Sequence, residues 1–195
     1  MTAPSPGLRE RKKEATRQAL HEAAVRLAVE HGLEGLTVEA IADAAEVSRR
    51  TFSNYFANKE EALLHNDQVR LRRLLDLLRE RPPEESPEEA LAAAARELVA
   101  GGTSDPRWLA QVQLLRRHPS LLGRQVTRYA EAERALADLV AARLPADADR
   151  ALRARLLAAG LLTTLRVALQ QWMEDPSSPL PEVLDRALGI LRSAR

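Results

Sequence analysis

Apolar residues recur at helical spacing along most of the chain, and no segment shows the strict alternation of a half-buried strand. The first such segment extends from Leu8 to His31, and Gly32 follows it, as glycine commonly does where a helix ends. Its apolar stripe consists of Ala15, Ala19, Leu20, Ala23, Ala24, Leu27 and Ala28. The same spacing continues to the C-terminal region, and the sequence therefore predicts an all-α fold.

Helix starts are predicted where a capping side chain precedes an apolar segment. The clearest is Ser86, because proline follows it at the first helical position and an acid at the third. Prolines and glycines end several of the helices. The nine predicted segments are 8–31, 38–45, 49–55, 58–81, 86–101, 105–118, 121–144, 147–174 and 182–192, with Asp147 as the expected cap of the eighth.

The second and third segments are separated by only a short turn. The second has one apolar face, and its small residues Ala42 and Ala45 let another helix approach closely. A turn of two or three residues at Glu46-Val47 then forces a sharp crossing. This spacing indicates a helix-turn-helix, in which the second helix enters the major groove of DNA.

The third segment has two different faces at about 100° per residue. Phe52 and Tyr55 point towards the core, and Phe56 follows them. The opposite face of this segment has no acid and consists of Arg49, Arg50, Ser53 and Asn54. Arginine binds guanine O6 and N7, and asparagine binds adenine N6 and N7. Any one of these residues could be an ordinary surface residue, but as a set they favour base reading.

The stretch LTVEAIADAAEVSRRTFSNYFANKEEALL, within residues 9 to 66, resembles the DNA-binding domain of the TetR family of bacterial regulators. The Thr, the Ala pair, the Val-Ser, the Tyr-Phe and the Lys-Glu fall at that family's spacings. The resemblance implies a helix-turn-helix domain over 1–66, with residues 1–8 as a flexible arm. It also implies a ligand-sensing and dimerisation domain over 67–195. The matching positions that commonly touch DNA in this family are Thr37, Arg49, Arg50, Thr51, Ser53, Asn54, Tyr55 and Lys59.

Two positions depart from the family pattern. Glu46 lies in the turn, where many members have glycine, so we expect a tighter or differently twisted turn. Ser53 stands where many members have a large aromatic residue, so packing or base reading there differs. Neither departure changes the assignment.

The resemblance implies a ligand pocket in the C-terminal part, which we expect to be lined mainly by polar or aromatic residues on otherwise apolar helices. The candidates are Trp108, Gln111, Leu115, Arg116, Tyr129, Thr164 and Trp172. The alternative for the two tryptophans is simple core or interface packing, and Thr164 could bond back to its own helix. The stretch from Arg150 onwards also resembles the C-terminal domain of mycofactocin-associated TetR regulators, which suggests an acyl thioester or another lipid-like ligand.

The last two helices present a broad apolar seam, which must be covered. It consists of Leu152, Leu156, Leu161, Leu165, Leu169, Val183, Leu184, Leu188 and Leu191. A four-helix bundle between two copies of the chain would cover it. We therefore expect a homodimer formed through the last two helices.

Composition excludes several classes of site. Cysteine is absent, and the four histidines show no metal-ligand spacing, so we expect no metal, no cofactor and no catalytic residues. No signal peptide and no run of about 18 apolar residues is present, so a cytoplasmic protein without a membrane partner is expected. The net charge of +1 does not by itself indicate a nucleic-acid partner.

The sequence thus predicts a DNA-binding transcriptional regulator. Repression is the default that the family resemblance implies, with release from a near-palindromic double-stranded operator by a small hydrophobic effector. The alternative is a helical small-molecule carrier or interaction protein that has lost DNA binding. An enzyme is the third possibility, but the sequence contains no catalytic motif.

Overall fold

The computed structural model describes residues 7–101, 114 and 122–193, apart from the side chains of 122–128. These residues form helices and no strand, which confirms the all-α fold. The helices are α1 (Leu8–Gly35), α2 (Val38–Ala44), α3 (Arg49–Tyr55), α4 (Lys59–Leu63), α5 (His65–Glu80), α6 (Pro87–Ala100), α7 (Leu122–Ala141), α8 (Arg150–Glu174) and α9 (Leu180–Ser193).

Among the described residues, the division of the chain differs from the predicted one in two places. The segment expected to run from 58 to 81 is two helices, because Leu64 forms a turn between α4 and α5. The segment predicted at 105–118 lies outside the described residues, apart from Leu114. The expected cap at Asp147 is wrong: α8 starts two residues later, after Asp149, while the Asp147 carboxylate accepts from the Asp149 N–H and pairs with Arg153.

Most of the other predicted helix starts are capped as expected. Thr37, Ser48 and Asn58 each accept a hydrogen bond from the backbone N–H three residues later, at 3.1, 3.0 and 2.9 Å. Ser86 and Glu89 form a reciprocal capping box at the start of α6. These bonds satisfy N–H groups that the first turn of a helix otherwise leaves without a partner.

The described chain divides into two compact units, and each has its own apolar core. The first contains residues 7–67, 114 and 122–123. Its core is formed by α1 to α4 and includes Leu20, Ile41, Phe52 and Leu63.

The second unit contains residues 68–101 and 124–193. In it, α9 packs along α8 and against α6, burying Leu184 and Leu188. Arg143 donates to the carbonyls of Leu78, Arg81 and Pro82, which places a cation at the C-terminal end of α5. Across the described residues, no helix is both long enough and apolar enough to cross a membrane.

Two residues of the first unit adopt a left-handed backbone conformation. Gly32 has φ 76° and interrupts the helical backbone of α1, so the regular helix ends where the sequence predicts. Glu46 has φ 54° in the turn between α2 and α3. Glycine adopts this conformation without cost, whereas a residue with a Cβ atom is strained by about 1–2 kcal/mol.

We expect Glu46→Gly to raise the free energy of unfolding of the first unit by about 0.5–1 kcal/mol, because it relieves this strain but adds chain entropy to the unfolded state. Chemical unfolding followed by circular dichroism measures the change. Glu46→Ala is the matched control, since it removes the carboxylate but retains Cβ, and it should give no such gain. Equal stabilisation by both substitutions would show that the charge, not the backbone, is responsible.

Candidate nucleic-acid interface

The turn between α2 and α3 is fixed by backbone hydrogen bonds and by the core beneath it. The N–H of Val47 donates to the carbonyl of Ala42 at 2.9 Å, and that of Glu46 donates to Asp43 at 3.0 Å. Ile41 on α2 and Phe52 on α3 are buried in the same core. These contacts hold the two helices of the predicted helix-turn-helix in one arrangement.

The buried side of α3 is aromatic. Phe52 is only 1% exposed, and Phe56 at the end of the helix is also buried, with 5.8 Å between the two ring centroids. Tyr55 is half-buried, and the guanidinium of Arg17 lies over its ring at 5.7 Å. The predicted core face of α3 is therefore confirmed for both phenylalanines, while Tyr55 lies at the edge of the core.

The opposite side of α3 is exposed and polar, as the sequence predicts. Arg49, Arg50, Ser53 and Asn54 are all exposed, and Thr51 is half-exposed. The hydroxyl of Ser53 donates to the Arg49 carbonyl at 3.2 Å, so its hydrogen is used within the helix. The lone pairs of this hydroxyl remain available as hydrogen-bond acceptors.

An acid joins this face from the neighbouring helix. The carboxylate of Glu39, in the first turn of α2, lies 2.9 Å from the guanidinium of Arg49. The acid-free face predicted for the third segment is found on α3 itself, whereas the combined surface of α2 and α3 includes the carboxylate of Glu39. The sharp crossing of the two helices brings the residues together, and helical spacing within α3 does not reveal it.

Lys59 and Thr37, two of the positions that the family resemblance places on DNA, also have partners within the protein. Lys59 donates to the carbonyls of Leu33 and Leu36 at 3.0 and 2.7 Å, which ties the end of α1 to the start of α4. An ammonium has three hydrogens, so one remains for a phosphate. Thr37 is exposed and caps α2 through its hydroxyl oxygen. Both contacts with DNA remain predictions.

Comparison with known proteins identifies the family. Residues 20–65 match the family described as "Bacterial regulatory proteins, tetR family", and residues 85–195 match the family described as "MftR C-terminal domain". The HTH-type transcriptional regulator TcmR of Streptomyces glaucescens is 35% identical over 201 residues, covering 98% of this chain and 89% of TcmR. The chain belongs to the TetR family of bacterial transcriptional regulators.

Two further relatives support the assignment of this TetR-family regulator. The putative mycofactocin biosynthesis transcriptional regulator MftR of Mycobacterium tuberculosis is 26% identical, covering 93% of this chain and 91% of MftR. Thermus thermophilus FadR, a TetR-family repressor whose crystal structure contains lauroyl-CoA, is 28% identical in sequence. Its structure matches with a TM-score of 0.54, covering 90% of this chain and 92% of FadR. The predicted family and its mycofactocin-associated C-terminal domain are thus confirmed, and the carrier alternative is not favoured.

Only part of the predicted ligand pocket of the regulator can be placed. Trp108, Gln111, Leu115 and Arg116 lie outside the described residues. Tyr129 and Trp172 are half-buried. Thr164 is buried and donates to the carbonyl of Gly160 at 2.7 Å, which is the bond back to its own helix that the sequence left open.

A small apolar groove lies elsewhere in the second unit, with a volume of about 100 Å³. It is bordered by α6, α8 and α9, including Leu91, Leu156, Gly160 and Leu191. Of the predicted ligand residues that the structure describes, Tyr129, Thr164 and Trp172 do not line it. Among the described residues, no group of three or more histidine, aspartate or glutamate side chains is placed to hold a metal ion.

Two buried histidines lie beneath the helix-turn-helix of the regulator. His65 is 3% exposed, and its ring packs edge-on against Phe56 and His21, with centroids 5.5 and 5.8 Å away. The Nε2 atom lies 3.5 Å from the Glu14 carboxylate without a well-aligned hydrogen bond. Burial lowers the pKa of His65 to about 4, and His21 and Arg17 act in the same direction, while Glu14 opposes them.

This pKa predicts a loss of stability in acid. The unfolded chain takes up a proton at His65 below its ordinary pKa of 6.5, whereas the folded chain does so only near pH 4. The free energy of unfolding should therefore fall as the pH drops through that interval, by about 3 kcal/mol in total. Urea unfolding at several pH values, followed by hydrogen exchange in peptides from 49–64, measures the effect.

His65→Phe should remove this part of the pH dependence, because phenylalanine keeps the ring packing but takes up no proton. The exposed His31 provides the control, since His31→Phe should retain the full dependence on pH. Superimposable profiles for the wild type and His65→Phe would contradict the assignment.

Proposed function

We propose that this regulator is a repressor that binds a near-palindromic operator as a homodimer and is released by a small hydrophobic ligand. The observation that carries the proposal is the two-sided α3. Its aromatic side is buried in the core of the first unit, and its opposite side exposes Arg49, Arg50 and Asn54. A short helix held in this way matches what major-groove reading requires.

Within this proposal, residues 1–66 form the DNA-binding domain and residues 67–195 the sensing and dimerisation domain. Arg49, Arg50, Ser53 and Asn54 read base edges, because these exposed side chains carry the donors and acceptors that bases recognise. Thr37, Thr51, Tyr55 and Lys59 contact the phosphate backbone and fix the register of the helix on DNA.

Two copies of the chain are proposed to meet through α8 and α9. Part of the predicted apolar seam, including Leu161, Leu184 and Leu188, is buried within the second unit. Leu156 and Ile190 remain 62% and 69% exposed, and Leu152 and Leu191 are exposed beside them. Apolar side chains exposed together on two packed helices indicate a surface that a partner covers. A twofold dimer also presents two α3 helices to two half-sites.

The ligand is proposed to be an acyl thioester or a similar lipid-like molecule. The support is the match to the MftR C-terminal domain and the lauroyl-CoA bound to the related FadR. A ligand that favours the conformation unable to bind DNA would release the operator. The chain passes from the first unit to the second within α5, which is therefore the proposed lever.

Operator binding tests the central part of the proposal. Selection from a random DNA pool should yield near-palindromic sites, and fluorescence anisotropy should show tight, salt-dependent binding to them. Arg49→Ala/Arg50→Ala should lower operator affinity by at least about tenfold, because the lost contacts are to bases. Arg72→Ala/Arg134→Ala removes two exposed arginines from the second unit and serves as the control for net charge.

Failure of the selection to enrich any site would favour the carrier alternative instead. In the same assay, lauroyl-CoA is the first ligand probe, and it should release the operator. Operator DNA should in turn weaken binding of lauroyl-CoA by the same factor, because coupling between two sites is reciprocal. Equal ligand affinity with and without the operator would contradict the release mechanism.

The proposed dimer predicts the effect of a charge on its apolar surface. Leu156→Glu/Ile190→Glu should convert the dimer to a monomer, because burying two carboxylates in an apolar interface is costly. Sedimentation velocity measures the change. Val29→Glu, on an exposed apolar residue of α1, is the control and should leave the dimer intact. A dimer that survives both glutamates would place the interface elsewhere.

A further inference from the structure

Arg49 occupies an electrostatically unfavourable position in the free protein. It is the first residue of α3, where the unpaired N–H groups give the helix a partial positive charge. No acid lies in the first turn of α3. The carboxylate of Glu39 on α2 offsets this unfavourable charge across the helix crossing, at 2.9 Å from Nη1 of Arg49.

The ion pair is open to solvent and leaves most of the guanidinium available. The side chains of Arg49 and Glu39 are 73% and 55% exposed. An arginine has five N–H donors, and the contact with Glu39 is made through Nη1. A second pair of donors therefore remains for a bidentate contact with O6 and N7 of guanine.

We infer that Glu39 is a positioning residue that holds Arg49 towards a base edge and thereby sets the guanine preference at one operator position. The inference deepens the proposed operator binding and rests on it. Without the carboxylate, the long side chain of Arg49 would be drawn to the nearest phosphate, which every DNA sequence offers. With it, the guanidinium is tethered on the exposed side of the helix crossing.

The charge of Glu39 itself fits a role in specificity and not in affinity. It lies two residues after Thr37, where we propose a phosphate contact, and a carboxylate there repels DNA of any sequence. Such a residue weakens binding to wrong sites more than to a site where Arg49 gains its guanine. Specificity of this kind depends on a repulsive element as well as an attractive one.

The test compares Glu39→Gln with the wild type on the selected operator and on unrelated DNA. Glutamine keeps the size of the side chain but loses its charge. We expect affinity for unrelated DNA to rise about threefold, since one repulsive charge is removed. The relevant operator position is the one at which Arg49→Ala abolishes discrimination between guanine and 7-deazaguanine, which lacks the N7 acceptor. At that position, Glu39→Gln should lower the discrimination about tenfold.

Two controls separate positioning from general electrostatics. Asp43→Asn removes another exposed carboxylate from α2 and should change affinity for both DNAs by one common factor. In the Arg49→Ala background, Glu39→Gln should have no further effect on discrimination, because its effect acts through the arginine. Thermal unfolding of each variant reports whether the fold is retained.

The possible outcomes are distinct. Unchanged guanine discrimination in a folded Glu39→Gln protein would overturn the inference while leaving operator binding intact. An equal loss of discrimination in Asp43→Asn would also overturn it, because the effect would then be one of net charge. A wild-type protein that selects no sequence would overturn the proposed function and the inference together.

Discussion

The burial of Phe52 and Phe56 is the constraint on which the DNA-facing surface depends. A helix of seven residues is too short to be stable alone, so α3 is held in place by the core beneath it. Phe52 packs with Ile41 of α2 and Leu20 of α1 in one cluster, and Phe56 continues that cluster to the ring of His65. The exposed arginines have a defined direction only because the aromatic side of their helix is fixed.

Polar groups around this core complete the arrangement by satisfying helix ends. Lys59 donates to carbonyls at and just after the end of α1, while Ser48 and Asn58 cap α3 and α4. Glu46 adopts a strained, left-handed backbone conformation in the turn itself. The first unit therefore combines several modest local contributions with one buried aromatic cluster, and it keeps its charged side chains on the surface.

The parts of this structure that were predictable from sequence are those that depend on neighbours along the chain. The caps at Thr37 and Ser86, the helix end at Gly32 and the two faces of α3 follow from spacing and residue type, and the structure confirms them. The pairing of Glu39 with Arg49 depends on the crossing of two helices. The two hydrogen bonds that Lys59 donates to the carbonyls of Leu33 and Leu36 likewise depend on where α1 ends in space.

The break at Leu64 was not predictable for a related reason. The apolar pattern continues without interruption through Leu63 and Leu64, which are both buried, so residue type along the chain does not mark the turn between α4 and α5. The C-terminal pocket was harder still to predict, because aliphatic residues that line a cavity and those that fill a core have the same pattern. Thr164 shows the difficulty, since its hydroxyl bonds to its own helix.

Methylation interference on the selected operator tests the central claim most directly, because it reports which groove the protein reads. Methyl groups at guanine N7 lie in the major groove, and those at adenine N3 lie in the minor groove. If α3 reads the major groove in a symmetric dimer, N7 methylation should block binding in two half-sites about one helical turn apart. Interference confined to adenine N3, or to a single half-site, would contradict it.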